Sequence, residues 1–430
     1  MLMLSRCVIV LIFYIFFIYP LHAEVEKKGG KTLVQAYEAA LKQSESVEIQ
    51  NELLIQSQEG EAQEVGSLAP SISGSYAFLR QPLPKSNTGA SIYPQQQITS
   101  LVTLQQPLFR GFREFAALRQ KKHQVYAQQQ ALVGAARQLF YDVASAYYNV
   151  LALQSDVSNY TKQIKIDQKQ LEEQKKFYKI GRSKVTDVYA FSAQVTSLQV
   201  QLEASLGLLE TAKDVLAYYT GWDRDFLLED GEQNWSLQKN IADYLDKIDF
   251  RDDIQLAKKN MLASEEGIAV SFGQHYPSMD FYANYYIQRP GVLETVHWDM
   301  RFVLTLPIFQ GGVIQSQVRQ AHSIHRQSEL LFSQARKLAE KEIRSFYDAF
   351  CSDLESITRL KELVRVTGLN EKAALQYFRH GLLTVVDFLA ASSSHQDAQR
   401  QLGNKIFVTK SDAAKFQAAI GERKEIKISP

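Results

Sequence analysis

Residues 313–380 contain no proline and one glycine, Gly368. Within them Ile343, Phe346, Phe350, Leu354, Ile357, Leu360 and Val364 recur at steps of three and four, which is the apolar stripe of an α-helix. An uninterrupted helix of about 70 residues reaches about 105 Å at 1.5 Å per residue. Globular cores rarely hold such a rod, so the chain is suited to a coiled coil or a tube.

The chain writes this element twice. Residues 177–191, "FYKIGRSKVTDVYAF", return two hundred residues later as 377–391, "YFRHGLLTVVDFLAA". Gly181 is matched by Gly381, Val185 by Val385 and Asp187 by Asp387. At the same offset "QQPLFRGF" (105–112) recurs as "TLPIFQGG" (305–312). "AYYNVL" (146–151) recurs as "SFYDAF" (345–350), and "APSISGSYAF" (69–78) as "YPSMDFYANY" (276–285). Repeats in the same order mark a duplication, with one half near 31–220 and the other near 251–420. Each half reads as helix, two strands, long helix, break, helix. The shorter helices, near 47–68 and 184–220, laid end to end approach the length of the long one.

The strands are expected at 71–80, 97–106, 278–287 and 298–306, a length that suits a tilted strand crossing a bilayer. In the third, Met279, Phe281, Ala283, Tyr285 and Ile287 alternate with Asp280, Tyr282, Asn284 and Tyr286. In the fourth, Trp298, Met300, Phe302, Leu304 and Leu306 alternate with Asp299, Arg301, Val303 and Thr305. Apolar-out and polar-in, with aromatics near the ends, is the membrane β-barrel pattern. It also fits an amphipathic hairpin resting on a soluble helical core. Breaker-bearing loops at 81–95 and 289–297 close one end of the hairpins. Four strands cannot close a membrane barrel, and an open edge in lipid strands backbone groups without partners. If the strands span, copies must share one barrel.

Residues 1–23 read as a secretory signal: Arg6, an apolar run over 7–19, then "LHA" before the cut. Arg6 precedes Cys7 and the apolar run follows it, the reverse of a lipoprotein arrangement. The formal net charge of +1 offers no basic excess for nucleic acid. Beyond the leader Cys351 stands alone, so no internal disulfide is expected. "KKGGKT" (27–32) lacks the first glycine of a phosphate loop, which would fall at Val25. His322 and His325 are spaced for one helix face, where a solvated role outweighs a metal. No catalytic, cofactor or metal set is expected, and no enzyme activity.

The duplicated halves, "PLFRGF" and "PIFQGG" after a strand, and "YKIGRSKVTDV" with "FRHGLLTVVDF" together resemble TolC-like outer-membrane efflux proteins. The resemblance covers essentially the whole mature chain. It implies a mainly α fold with a small β part: long helices forming an α-helical barrel in the periplasm, and four strands per chain contributing to a shared transmembrane β-barrel. It implies a homotrimer with a twelve-stranded barrel in outer-membrane lipid. A periplasmic adaptor protein, and through it an inner-membrane transporter, would be its partners. The expected function is the exit duct of a tripartite efflux pump or type I secretion system. The alternative is a soluble periplasmic coiled-coil scaffold.

On that frame the chain divides into the signal peptide (1–23), an N-terminal segment with the first rising helix (24–69), and the first hairpin (70–107). Then come the long and returning helices (108–220), an equatorial linker (221–250) and a second rising helix (251–276). The second hairpin (277–307), second helix pair (308–415) and a C-terminal tail near the equator (416–430) complete it. The glycine-centred breaks become turns at the periplasmic end. Thr384 and Asp387 fit a capping box there, whereas Lys184 stands at the matching place in the first turn. The resemblance makes Asp187 and Asp387 aperture candidates. It makes Gly181, Arg182, Gly381 and Leu382 the tips on which an adaptor docks. Where the family latches with a tyrosine and an arginine, this chain has Phe378 and Leu383. Phe281, Tyr285, Trp298 and Phe302 are the lipid-facing candidates.

Overall fold

The computed structural model describes residues 30–82, 95–231 and 240–420. The leader, most of the first hairpin loop and residues 421–430 lie outside them. Two long helices dominate: α3 (Arg113–Lys179) and α7 (Val313–Arg379), each of 67 residues and so about 100 Å long. Each turns back at a glycine into a shorter helix, α4 (Val185–Thr220) and α8 (Val385–Ala419). Each follows a rising helix and a hairpin. In the first half these are α2 (Glu45–Ser67), β1 (Ser71–Arg80) and β2 (Gln96–Arg110). In the second they are α6 (Asp252–Phe272), β3 (Ser278–Gln288) and β4 (Trp298–Thr305). Two short helices complete the chain, α1 (Leu33–Gln43) and α5 (Ala242–Leu245).

The helices form one layer. α2 and α6 flank the strand-proximal part of α3, where Gln128 bonds Gln50 and Arg119 pairs with Glu266. α4 and α8 flank its far part, where Arg400 pairs with Asp156 and Gln163 bonds Ser392. α6 and α8 in turn pack on α7. The layer therefore runs α2–α3–α6–α7 near the sheet and α4–α3–α8–α7 further away. It stops at both margins. α2 has no buried residue, and α7 leaves Leu330, Leu331 and Leu338 exposed.

Midway along α3 the layer thickens. Leu33, Ala36, Tyr37 and Ala40 of α1 pack with Val143, Tyr147 and Val150 of α3, Leu216 of α4 and Phe226. The Tyr147 hydroxyl donates to the Lys31 carbonyl at 2.8 Å. Tyr244 and Ile248 join Ile343 of α7 with Phe416 and Ile420 at the end of α8. Beside them the buried Arg251 is held by Asp253, Glu342 and the Ala419 carbonyl, which meets its charge and its donors together.

Two boundaries differ from the sequence reading. β2 continues past Pro107 to Arg110 because a register shift between Pro107 and Phe109 takes up the missing N–H. α8 continues past Lys415 to Ala419, its last turn wedged against the α5 region. α1 stands as a separate helix, started by a capping box between Thr32 and Gln35.

Candidate functional site

Two parts of the molecule lack an interior explanation: the sheet at one end and the paired helix turns at the other.

The sheet is antiparallel with order β1-β2-β3-β4. Its register aligns Ile72 with Leu104, Val102 with Tyr285, Phe281 with Phe302 and Tyr285 with Trp298. By alternation those side chains share one face. Phe281 and Phe302 meet each other at 5.0 Å between ring centroids, and Phe302 remains 69% exposed. No helix covers this face: among the described residues the sheet's extended contacts are strand to strand. The opposite face is a polar lattice. Thr103 donates to Asn284 at 2.9 Å, Asn284 to Asp299 at 2.7 Å, and Arg110 pairs with Asp280 at 2.7 Å. Among the described residues β1 and β4 are edges without a partner strand, and every residue of β1 is exposed.

At the other end the two turns are built alike. Gly181 (φ +77°) and Gly381 (φ +73°) adopt the left-handed conformation that ends each long helix. Arg182 N–H donates to the Phe177 carbonyl at 2.8 Å, and Leu382 N–H to that of Tyr377 at 2.9 Å. The next helices start differently. Thr384 Oγ1 accepts from Asp387 N–H at 3.2 Å and donates to its carboxylate at 2.6 Å. Lys184 has no side-chain acceptor, so the carboxylate of Asp187 takes over. It accepts from Lys184 N–H at 3.2 Å and from the Ser183 hydroxyl at 3.1 Å. Both aspartates thus start helices, with Asp187 half-buried and Asp387 exposed.

The structure brings the two turns together through a cluster the sequence reading missed. Phe191 of α4, Phe378 of α7 and Phe388 of α8 form a triangle with centroids 5.5–6.1 Å apart. Leu171, Val195, Ala374 and Val385 surround it, with Leu383 at its margin. Phe378 and Leu383 thus belong to apolar packing between the hairpins. Further along lies a buried polar step. Asp167 of α3 is 1% exposed and accepts from Gln163 at 2.9 Å, while its second oxygen has no partner. Gln163 donates to Ser392 of α8, and Ser392 to Glu371 of α7 at 2.8 Å. Burial, reinforced by the Glu371 carboxylate, pushes the Asp167 carboxyl up to about 6 against the pull of Gln163. His325 is taken up by Ser264 and Glu329, and among the described residues no cluster could hold a metal ion.

The duplicated layout is matched in known proteins. The sequence profile described as "Outer membrane efflux protein" matches residues 34–221 and again 248–421, one match for each half. The chain belongs to the outer membrane efflux protein family. Its members are channels rather than enzymes, and an outer-membrane location with helices reaching into the periplasm follows from membership. Outer membrane protein TolC of Escherichia coli (strain K12) is 25% identical over 307 residues, 67% of this chain. The chain spans 62% of that relative's length. Among solved structures it superposes on VceC of Vibrio cholerae with a TM-score of 0.79 at 19% identity, covering 90% of this chain and 96% of VceC. The Campylobacter jejuni CmeC outer membrane channel gives 0.78 at 16%, covering 92% and 87%. As an outer membrane efflux protein fold, the layer of helices is one sector of an α-helical barrel and the sheet one sector of a β-barrel.

Proposed function

We propose that three copies of this chain form the exit duct of a tripartite efflux pump or type I secretion system, closed at rest by the α3–α4 and α7–α8 turns. The observation that carries this is the open sheet. An apolar face with no cover suits hydrocarbon, and two free edges in lipid cost several kcal/mol per unpaired backbone group. Pairing β4 with the β1 of a neighbour removes both edges, and three copies give a strand number within the range of membrane barrels. Phe281, Tyr285, Trp298 and Phe302 then face lipid. The helical margins support the same pairing. α2 carries Glu45, Glu48, Glu52, Glu59, Glu61 and Glu64 with no basic residue. The strand-proximal part of α7 carries Arg319, Arg326, Arg336 and Lys337. Acidic and basic margins meet when copies sit side by side.

At the periplasmic end Asp187 and Asp387 line the aperture. Gly181, Arg182, Gly381 and Leu382 form the surface on which an adaptor docks, linking the duct to an inner-membrane transporter that supplies the energy. The test has two readings. Native mass spectrometry of detergent-extracted outer membrane is expected to show a trimer, and planar-bilayer recordings a conducting pore whose cation preference falls in Asp387→Ala. A monomer soluble without detergent would instead support a periplasmic scaffold. Unchanged currents in the variant would remove Asp387 from the aperture.

A further inference from the structure

We propose that the cleft between the start of α3 and the end of α6 holds an acyl chain of a phospholipid from the periplasm-facing leaflet. The inference rests on the membrane reading above. The cleft has a volume of about 590 Å³ and is lined by Phe112, Phe115, Phe272, Tyr276 and Ala269, with Arg119 at its rim. That volume is in the ~300–1,000 Å³ range of small-molecule sites. All four aromatics are exposed in this chain.

Three observations single the cleft out. First, Phe112 is 66% exposed and sits at φ +59°, the one non-glycine residue with positive φ among the described residues. A bulky residue there is strained by ~1–2 kcal/mol. The duplication supplies the comparison: the matching position is Gly312 at φ +82°. The turn therefore asks for glycine, and the first half holds a phenylalanine against that demand. Second, the other aromatics are equally one-sided. Phe115 is matched by Gln315, and through the "APSISGSYAF" alignment Tyr276 is matched by Ala69 and Phe272 by Val65. Packing needed by the fold itself would appear in both halves. Third, the cleft continues the apolar face of the sheet. Phe109 meets Phe112 edge-to-face at 5.1 Å and is in register with Met279, two residues from Phe281 on the same strand. Arg110 takes the other side, toward Asp280. The cleft thus opens on the lipid side and not on the lumen.

Neighbouring copies leave it open. α3 and α6 are interior to the helical layer, whereas in the duct proposed above copies meet at the margins formed by α2, α4 and α7. Arg119 is anchored to Glu266 by two hydrogen bonds of 2.8 Å through Nε and Nη2. Its Nη1 remains for a lipid phosphate, a charge-assisted contact typical of arginine. Gly111 and Gly273 make the cleft possible, since a Cβ on Gly111 would lie 2.3 Å from the Gly273 carbonyl oxygen.

The test uses the whole trimer in mixed micelles with a phosphatidylethanolamine bearing a diazirine on its acyl chain. Labelled peptides are expected from residues 112–119 and 269–276, as well as from the strands around Phe302. Phe115→Gln with Phe272→Gln removes two aromatic contacts and should cut cleft labelling at least about tenfold, the effect of one such contact alone, and leave strand labelling unchanged. Phe112→Gly guards against misfolding: relief of the backbone strain should keep or raise thermal stability while cleft labelling still falls. Strand labelling without cleft labelling, or cleft labelling indifferent to all three substitutions, overturns the proposal and leaves the duct standing. Cross-links from the cleft to a protein instead of lipid overturn it too. Absence of labelling everywhere would count against the membrane reading itself.

Discussion

Asp167→Asn should stabilise this protein at neutral pH and destabilise it in acid. The wild-type carboxyl is buried, with one oxygen bonded to Gln163 and the other unpartnered. Its rise from the ordinary 3.8 to about 6 corresponds to about 3 kcal/mol, at 1.36 kcal/mol for each unit of pH. The sign follows from where the proton sits. Below pH 3.8 folded and unfolded chains both hold it, and the site favours neither. As pH rises toward 6 the unfolded chain releases it and the folded chain does not, so stability falls. Above 6 the whole penalty stands. Asparagine carries no such penalty, but its amide presents two N–H donors where the neutral acid presents one O–H, and the extra unpaired donor costs about 1 kcal/mol. The net gain at pH 7.5 is about 2 kcal/mol. An unfolding entropy of about 2.1 cal/mol/K per residue converts this to about 2 °C in Tm for a chain of this length. Near pH 4 the order reverses, because protonated aspartic acid brings no charge and a single unpaired O–H, against the variant's two unpaired N–H donors. Circular-dichroism melts of both proteins in one detergent and at one scan rate should therefore cross between pH 4 and 6. Glu371 and His395 lie nearby, but both are present in each protein and cancel in the difference. Parallel curves, or a variant less stable at pH 7.5, would refute the buried-charge account.

Other perturbations test the remaining parts. Phe388→Ala removes one corner of the aromatic triangle, a loss of ~3–5 kcal/mol for a buried phenylalanine. It should raise resting conductance in planar bilayers if that cluster holds the turns together. Gly381→Val should weaken the second turn by ~1–2 kcal/mol through backbone strain alone, since nothing lies within 4 Å of the added Cβ. Faster trypsin cleavage at Arg379 would report it, with Gly74→Val, equally open but in a strand, as the unaffected partner. Phe302→Lys should cost ~2–4 kcal/mol if the sheet lies in lipid and lower the yield of assembled trimer. In a water-soluble particle the same change at so exposed a site would be harmless.

The long helices were legible because their signal is an absence. Without proline and with one glycine, 313–380 has no place to stop, and the structure ends α7 at Arg379. The strands were legible because a period of two assigns each residue of 278–288 to a face without knowledge of its partner. Partners were what sequence could not supply. Phe191, Phe378 and Phe388 each read as part of a separate stripe, and their meeting depends on how α4, α7 and α8 lie together. Asp167 sits in "QIKIDQKQ", which looks like a solvated face. Its burial comes from helices distant in the chain.

The duplication separates what the fold requires from what it permits. Gly181 and Gly381 share a left-handed conformation, so the turn demands glycine and its presence says nothing about function. Lys184 and Thr384 differ, yet both helices begin on a carboxylate three residues on. Capping is therefore sufficient reason for Asp187 and Asp387 to be acidic, and an aperture role must be shown by current rather than by their occurrence. Phe112 and Gly312 differ in the opposite sense. The position asks for glycine and one half declines; Phe112 rests only on Phe109 and Phe115, both part of the same cleft, and stays 66% exposed. A cost kept in only one copy of a repeated element points to something outside the chain, which is why Phe112 carries more functional weight than either aspartate.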